Sequence, residues 1–167
     1  MPAVAAATSK ILIVDDEVDM AQCLAELLGH AGYTCAVCTD GARAFDAVLA
    51  ESPDLILTDL RMPGGSGMDL LKKVRSQKPT LPVILLTAFA SVDGAVEAMR
   101  EGATDFLPKP FFPEELLAKI RSGVERTRTR EEGRARIFRG QHALWEVVAA
   151  SQNPQMRELL TLAEKAA

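Results

Sequence analysis

The chain has 167 residues, 48% of them hydrophobic and 25% charged, with a formal net charge of -4. That is enough for one well-cored domain with an appendage, too short for two full domains, and too apolar for wholesale disorder. The charge is uneven: residues 1–120 carry 10 Lys/Arg against 17 Asp/Glu, whereas 121–140 carry 7 Arg against 3 Glu.

In chain order, the Ala-rich start from Met1 is too short for a secretory signal or a membrane span, and residues 1–9 read as a flexible tail. Ile11–Val14 is an all-apolar run ending in acid, the pattern of a strand buried on both faces. Val18, Ala21, Leu24, Leu27 and Leu28 then recur at helical spacing until Gly29 to Gly32. Tyr33–Val37 is a second strand, and Ala42 to Ala50 a helix closed by Ser52-Pro53. Leu55–Thr58 is a third strand ending at Asp59. A Pro/Gly loop (Pro63, Gly64, Gly65, Gly67) leads to a helix over Met68–Arg75. Val83–Thr87 is the fourth strand, Val92 to Glu101 the fourth helix, and Thr104–Leu107 a short fifth strand. Lys109-Pro110 follows, with a helix from Pro113, where proline and Glu114-Glu115 suit a first turn.

Strands alternating with helices predict an α/β fold: a doubly wound, five-stranded parallel sheet with helices on both faces. In such a sheet the ligand site lies beyond the carboxyl ends of the strands. That edge gathers Asp15 and Asp16 from the first strand, Asp59 from the third, Thr87 from the fourth and Lys109 after the fifth. Three carboxylates together need a compensating charge. A hard, oxygen-loving Mg²⁺ fits better than zinc. Mg²⁺ beside a carboxylate nucleophile points to an aspartyl phosphate on Asp59. Asp15 and Asp16 then hold the metal, Lys109 pairs with a phosphoryl oxygen, and Thr87 hydrogen-bonds another.

The remaining reactive residues carry less. Cys35 and Cys38 have CxxC spacing, but three positions apart on a strand they face opposite ways, with no histidine or second pair to complete a zinc site. The cysteine usage fits a reducing cytoplasm. His30 sits at a helix end, where a cation is merely favourable, and His142 lies in the tail. A phosphatase of the haloacid dehalogenase type wants a second aspartate two positions after its nucleophile, and Arg61 stands there.

The segments ILIVDDE (11–17), PDLILTDLRMPGGSGMDLL (53–71), LPVILLTAFA (81–90) and GATDFLPKPF (102–111) closely resemble the response-regulator receiver family of two-component signalling. The resemblance covers roughly residues 10–125. It implies a flavodoxin-like sheet of order 2-1-3-4-5 and a regulatory phosphoacceptor rather than an enzyme. On that likeness Asp59 is the phosphoacceptor, and Mg²⁺ is held by Asp15, Asp16, Asp59 and the backbone carbonyl of Arg61. Thr87 is the switch hydroxyl, Ala88 the small residue behind it, and Lys109 precedes a cis-prone proline. Phe106 stands at the aromatic switch position, where many members have tyrosine, so packing replaces a hydroxyl's hydrogen bond. The phosphodonor implied is a histidine kinase, and the responsive face is the fourth helix, fifth strand and fifth helix, used for homodimer or output contacts.

Residues 126–149 read as a helical linker and possible dimerisation element, although Thr127, Glu131 and Arg134 interrupt its apolar stripe. ASQNPQMRELLTLAEKAA (150–167) resembles the opening of the AAA+ ATPase domain in sigma-54-dependent activators of the nitrogen-regulation class. The full-length protein on that likeness contacts DNA and sigma-54 RNA polymerase. No GxxxxGK[ST] loop occurs in this chain, so ATP is not expected to bind here by that mechanism. Two other outputs stay open: a stand-alone interaction module, and a different DNA-binding class. A direct nucleic-acid contact by the Arg-rich 121–140 lacks a recognition helix, and a solvated helix face is the simpler account.

Overall fold

The computed structural model describes residues 8–88 and 92–129. Most of the expected tail and linker, His142 and the ATPase-like segment 150–167 lie outside the described residues.

Five strands form one parallel sheet in the order β2-β1-β3-β4-β5: β1 Lys10–Val14, β2 Thr34–Cys38, β3 Leu55–Asp59, β4 Val83–Thr87 and β5 Asp105–Pro108. This is the expected flavodoxin-like order, with Asp59 ending the central strand. The strands between the edges are apolar at nearly every position because both of their faces are covered. Ile11, Ile13, Leu55, Leu57, Ile84 and Leu86 pack with Ala21, Leu24 and Leu28 of α1 (Val18–His30) and with Leu116, Ile120 and Val124 of α5 (residues 113–129). The alternate residues Leu12, Val14, Ile56, Val83 and Leu85 pack with α2 (Ala44–Glu51), α3 (Gly67–Gln77) and α4 (Val92–Arg100). Each fully buried Leu or Ile contributes roughly 1.5–3 kcal/mol. A slip of one residue in any central strand would exchange these two sets.

The element boundaries differ from the sequence reading for local reasons. Gly32 ends α1 at φ 91°, donating to the Gly29 carbonyl while Tyr33 donates to that of Leu28. Those bonds engage Tyr33 in a helix closure, so β2 begins one residue later. The expected second helix is split: Gly41–Arg43 forms a 3₁₀ turn, with the Asp40 side chain accepting from the Ala42 N–H at 2.9 Å, before α2 starts at Ala44. Val18, placed in the helical core stripe, is 51% exposed at the start of α1. Cys35 and Cys38 do face opposite sides of the sheet, one against each core cluster.

Gly123, an interior glycine that weakens a helix by about 1 kcal/mol relative to alanine, has a packing reason. A Cβ there would come within 2.7 Å of Leu55 Cδ1, so the missing side chain lets α5 lie against β3. Gly123→Ala is expected to destabilise the chain by about 1–2 kcal/mol, overpacking outweighing the gain in helix propensity. Combined with Leu55→Val, the loss should be smaller than the sum of the two single losses; urea denaturation of the four proteins measures both.

Candidate functional site

All five strands run the same way, so their C-terminal ends share one edge. Asp59 is paired with Leu86 and Thr87 with Pro108 across that edge. Asp15 follows β1 directly, and its N–H donates to the Cys38 carbonyl at 3.2 Å, continuing the ladder past the strand. Lys109 follows β5, and its N–H donates to the Thr87 carbonyl at 2.6 Å. The Lys109-Pro110 peptide is cis.

These backbone positions aim one ammonium at two carboxylates. Lys109 Nζ lies 3.0 Å from Asp15 Oδ2 and 2.8 Å from Asp59 Oδ1. The other oxygen of each acid is also held: Asp15 Oδ1 accepts from the Glu17 N–H at 3.0 Å, and Asp59 Oδ2 from the Arg61 N–H at 2.8 Å. Asp15, Asp59 and Thr87 are buried, at 1%, 8% and 1% exposure. Burial alone would pull the Lys109 ammonium down. The hydrogen bonds and charges of Asp59 and Asp15 outweigh it and hold the group above its ordinary value.

A cleft of about 200 Å³ opens over this group, lined by Asp15, Asp16, Glu17, Met20, Asp59, Arg61, Thr87, Ala88 and Lys109. Each sequence-predicted residue of the strand ends therefore lines one cavity, Asp16 from its exposed rim. Among the described residues no three acidic, histidine or cysteine side chains are gathered closely enough to hold a metal as they stand, and Lys109 sits between Asp15 and Asp59. Phe106 is half-buried on β5, packed on the α2–α3–α4 face and not among the residues lining the cleft. His30 is exposed in the last turn of α1. Burial pushes the Cys35 thiol up, away from reactive thiolate.

Gly67 was not among the expected site residues. It opens α3 directly behind the central acid, where a Cβ would lie 2.3 Å from the Asp59 carbonyl oxygen and 3.2 Å from Leu60 Cα. Its N–H donates to the Leu60 carbonyl at 3.0 Å. The helix start is fixed by a reciprocal cap: Ser66 Oγ accepts from the Asp69 N–H at 3.1 Å, and Asp69 accepts from the Ser66 N–H at 3.3 Å. The Ser66 hydroxyl and N–H keep the Asp69 carboxyl below its usual range. The Ser-x-x-Asp spacing after a Pro/Gly loop was a visible signal for this helix start; the close approach of Gly67 to Asp59 was not.

Comparison with known proteins agrees with this geometry. The response regulator receiver domain family matches residues 11–121. The DNA-binding transcriptional regulator NtrC of Escherichia coli K12 is 37% identical over 124 residues, 74% of this chain and 26% of that protein. Response regulator MprA of Mycobacterium bovis BCG is 34% identical over 150 residues, 90% of this chain and 65% of its relative. The chain thus spans about a quarter of the first of these relatives and just under two thirds of the second. A crystal structure of a receiver domain protein from Clostridium thermocellum superposes with a TM-score of 0.69 at 32% identity, covering 72% of this chain and 98% of that one. No described helix is long and apolar enough to cross a membrane. With its fold, its acidic sheet edge and these relatives in agreement, the chain belongs to the response regulator receiver domain family, phospho-accepting regulatory modules that are not enzymes in the conventional sense.

Proposed function

We propose that Asp59 accepts a phosphoryl group from a histidine kinase, and that Lys109, Thr87 and Phe106 read its presence. The carrying observation is the setting of Asp59: a buried carboxylate at the end of the central strand, with one oxygen on an ammonium and the other on a backbone N–H, beneath an open cleft. In the transfer, an Asp59 oxygen attacks phosphorus in line. The new O–P bond forms as the donor's P–N bond breaks, and the departing imidazole keeps the electron pair and takes a proton from solvent.

The donor set suits Mg²⁺, since carboxylate and carbonyl oxygens around a small cleft are hard ligands. Asp15, Asp16, Asp59 and the Arg61 carbonyl would hold it, and when bound it supplies positive charge against the phosphoryl oxygens. Lys109 supplies a second, fixed positive charge, already directed at Asp59 by its backbone bond to Thr87. Thr87 ends β4 at the same edge and lines the same cleft, so a small movement of that strand end would bring its hydroxyl to a phosphoryl oxygen. Phe106, lacking a hydroxyl, follows that movement through packing.

Further along the chain, residues 126–149 join the receiver of residues 10–125 to an output module, and 150–167 open an AAA+ ATPase of the sigma-54-activator class. Phosphorylation would then alter a homodimer through the α4–β5–α5 face or the linker, and a longer protein would engage DNA and sigma-54 RNA polymerase. The NtrC relative's description as a DNA-binding transcriptional regulator supports this output. A second reading, an output of another class, is favoured by the longer MprA alignment, which spans 90% of this chain. An ATP-binding loop encoded downstream would decide for the first.

Incubation with acetyl phosphate and Mg²⁺ should add one phosphoryl mass to the intact chain, and Asp59→Asn should abolish it. A persistent adduct on the variant would move the phosphoacceptor elsewhere. Gly67→Ala should slow the same labelling about tenfold or more while the fold survives, because the new methyl must displace the Asp59 backbone; timed mass spectrometry gives the rate. Lys109→Gln should lower stability by about 2 kcal/mol at neutral pH through the loss of a partly buried charge pair. Because the folded-state ammonium titrates above its ordinary value, that gap should hold up to the unfolded lysine value of about 10.4 and close as pH climbs beyond it. Urea denaturation of both proteins across the alkaline range measures it.

A further inference from the structure

Arg75 lies in the last turn of α3, on the sheet edge opposite the cleft, and its guanidinium is surrounded by main-chain carbonyls. Nε donates to the Gly102 carbonyl at 2.7 Å and Nη1 to the Leu81 carbonyl at 2.7 Å. Nη1 also reaches the carbonyls of Lys78 and Pro79 at 3.4 Å. Among the described residues no carboxylate pairs with it, and burial draws its pKa below the ordinary value. A half-buried cation persists without a counter-ion only when its donors are satisfied. Here the C-terminal ends of two helices supply the acceptors, α3 through Lys78 and α4 through Gly102, each carrying partial negative charge.

The α4 end is shaped to receive that side chain. Gly102 has φ 92°, its N–H donates to the Met99 carbonyl at 3.2 Å, and Ala103 donates to that of Ala98 at 2.9 Å. Ala98 and Ala103 are both buried, the apolar contact that completes this helix stop. A Cβ on Gly102 would sit 3.0 Å from Arg75 Nε and 3.1 Å from Cδ, so only glycine lets the arginine lie flat against the turn. The nearby Lys72–Glu101 pair, at 3.7 Å and solvent-exposed, adds little. The chain reaches α4's other end from β4, whose last residue is Thr87 of the cleft. One helix of roughly 13 Å therefore joins the site side to the arginine clamp, and on its outer face Val96 and Met99 are exposed.

We propose that Arg75 makes the C-terminal end of α4 a fixed pivot, so that a change at Thr87 swings α4 about Gly102 instead of sliding it along the sheet. The trigger rests on the phosphoacceptor reading of Asp59; the clamp itself does not. Arg75 is a positioning residue, distant from the reacting atoms.

Residue-resolved amide exchange of the full chain tests it, on the parent and on Arg75→Lys, which keeps the charge but loses the fork. Without phosphodonor, the amides of Gly102 and Ala103 should exchange at least tenfold faster in the variant, while those of Leu12 and Leu57 stay within twofold. With acetyl phosphate and Mg²⁺, amide shift changes along α4 in the parent should diminish from Asp93 towards Arg100, and in the variant extend through Ala103. Both proteins should take up the phosphoryl mass equally. Uniform acceleration of core and α4 amides would reduce Arg75 to general stability and overturn the proposal, as would parent shift changes as large at Arg100–Ala103 as at the start of α4. If the parent takes up no phosphoryl mass, the Asp59 reading fails alone, and the exchange at Gly102 and Ala103 still decides the clamp. Should Arg75→Lys not fold, Gly102→Ala, whose Cβ displaces the guanidinium, must give the same local acceleration for the clamp to stand.

Discussion

Two carboxylates buried side by side are tolerable only if a positive charge reaches both, and Lys109 is placed to do so. Asp15 comes from β1, Asp59 from β3 and Lys109 from the end of β5, so the charge balance depends on the order of the whole sheet. The ammonium cannot be supplied by flexible reach alone, because its own backbone N–H is tied to the Thr87 carbonyl. The β4–β5 pairing therefore carries the charge as well as the fold. Each oxygen of both acids has a partner, which offsets the cost of burying groups this polar.

That edge is held in place by layers that meet the sheet at very close range. On one face Gly123 lets α5 settle against Leu55; on the other Gly67 lets α3 begin against the Asp59 carbonyl. Leu55 and Asp59 are the first and last residues of the same strand. The central strand is thus gripped at its base from one side and at its tip from the other, and in both places the grip depends on an absent side chain. Tight packing of this kind transmits a displacement of the tip more readily than it absorbs one.

The strands and the five edge residues were legible in the sequence because each is a local signal, an apolar run covered on both sides and ended by a polar residue that the chain direction assigns to one edge. The order of the strands came only with the family resemblance. Boundaries were less legible where a neighbouring motif competed for a residue, as the closure of α1 did for Tyr33 and the Asp40 turn did for the start of α2. Gly67, Gly123 and Arg75 were not legible as contacts at all. Each matters through a partner from another element (Asp59, Leu55 and Gly102), and a lone glycine or a helical arginine announces no such partner. Val18 failed for a related reason: helical periodicity marks a face but not how far along the helix that face is covered, and Val18, the first residue of α1, is half exposed.

The chemistry and the packing meet in an asymmetry between the strands. β1 and β3 bring acids to the cleft, and their connections run to α1 and α3, helices whose starts lie close to those acids. β4 and β5 bring the hydroxyl and the ammonium, and run on towards α4 and α5. Among the strand-end side chains lining the cleft, the ones that can answer a new charge on Asp59 by donating or carrying positive charge are Thr87 and Lys109. On the proposed reading the response is therefore confined to the half of the domain that those two residues lead into. Within that half α4 is fastened at one end by Arg75, whereas α5 packs on the sheet through Leu116, Ile120 and Val124 along its length. On the proposed reading, the bonds between Arg75 and the end of α4 make that helix the element that turns a small movement at the cleft into a larger one at the surface.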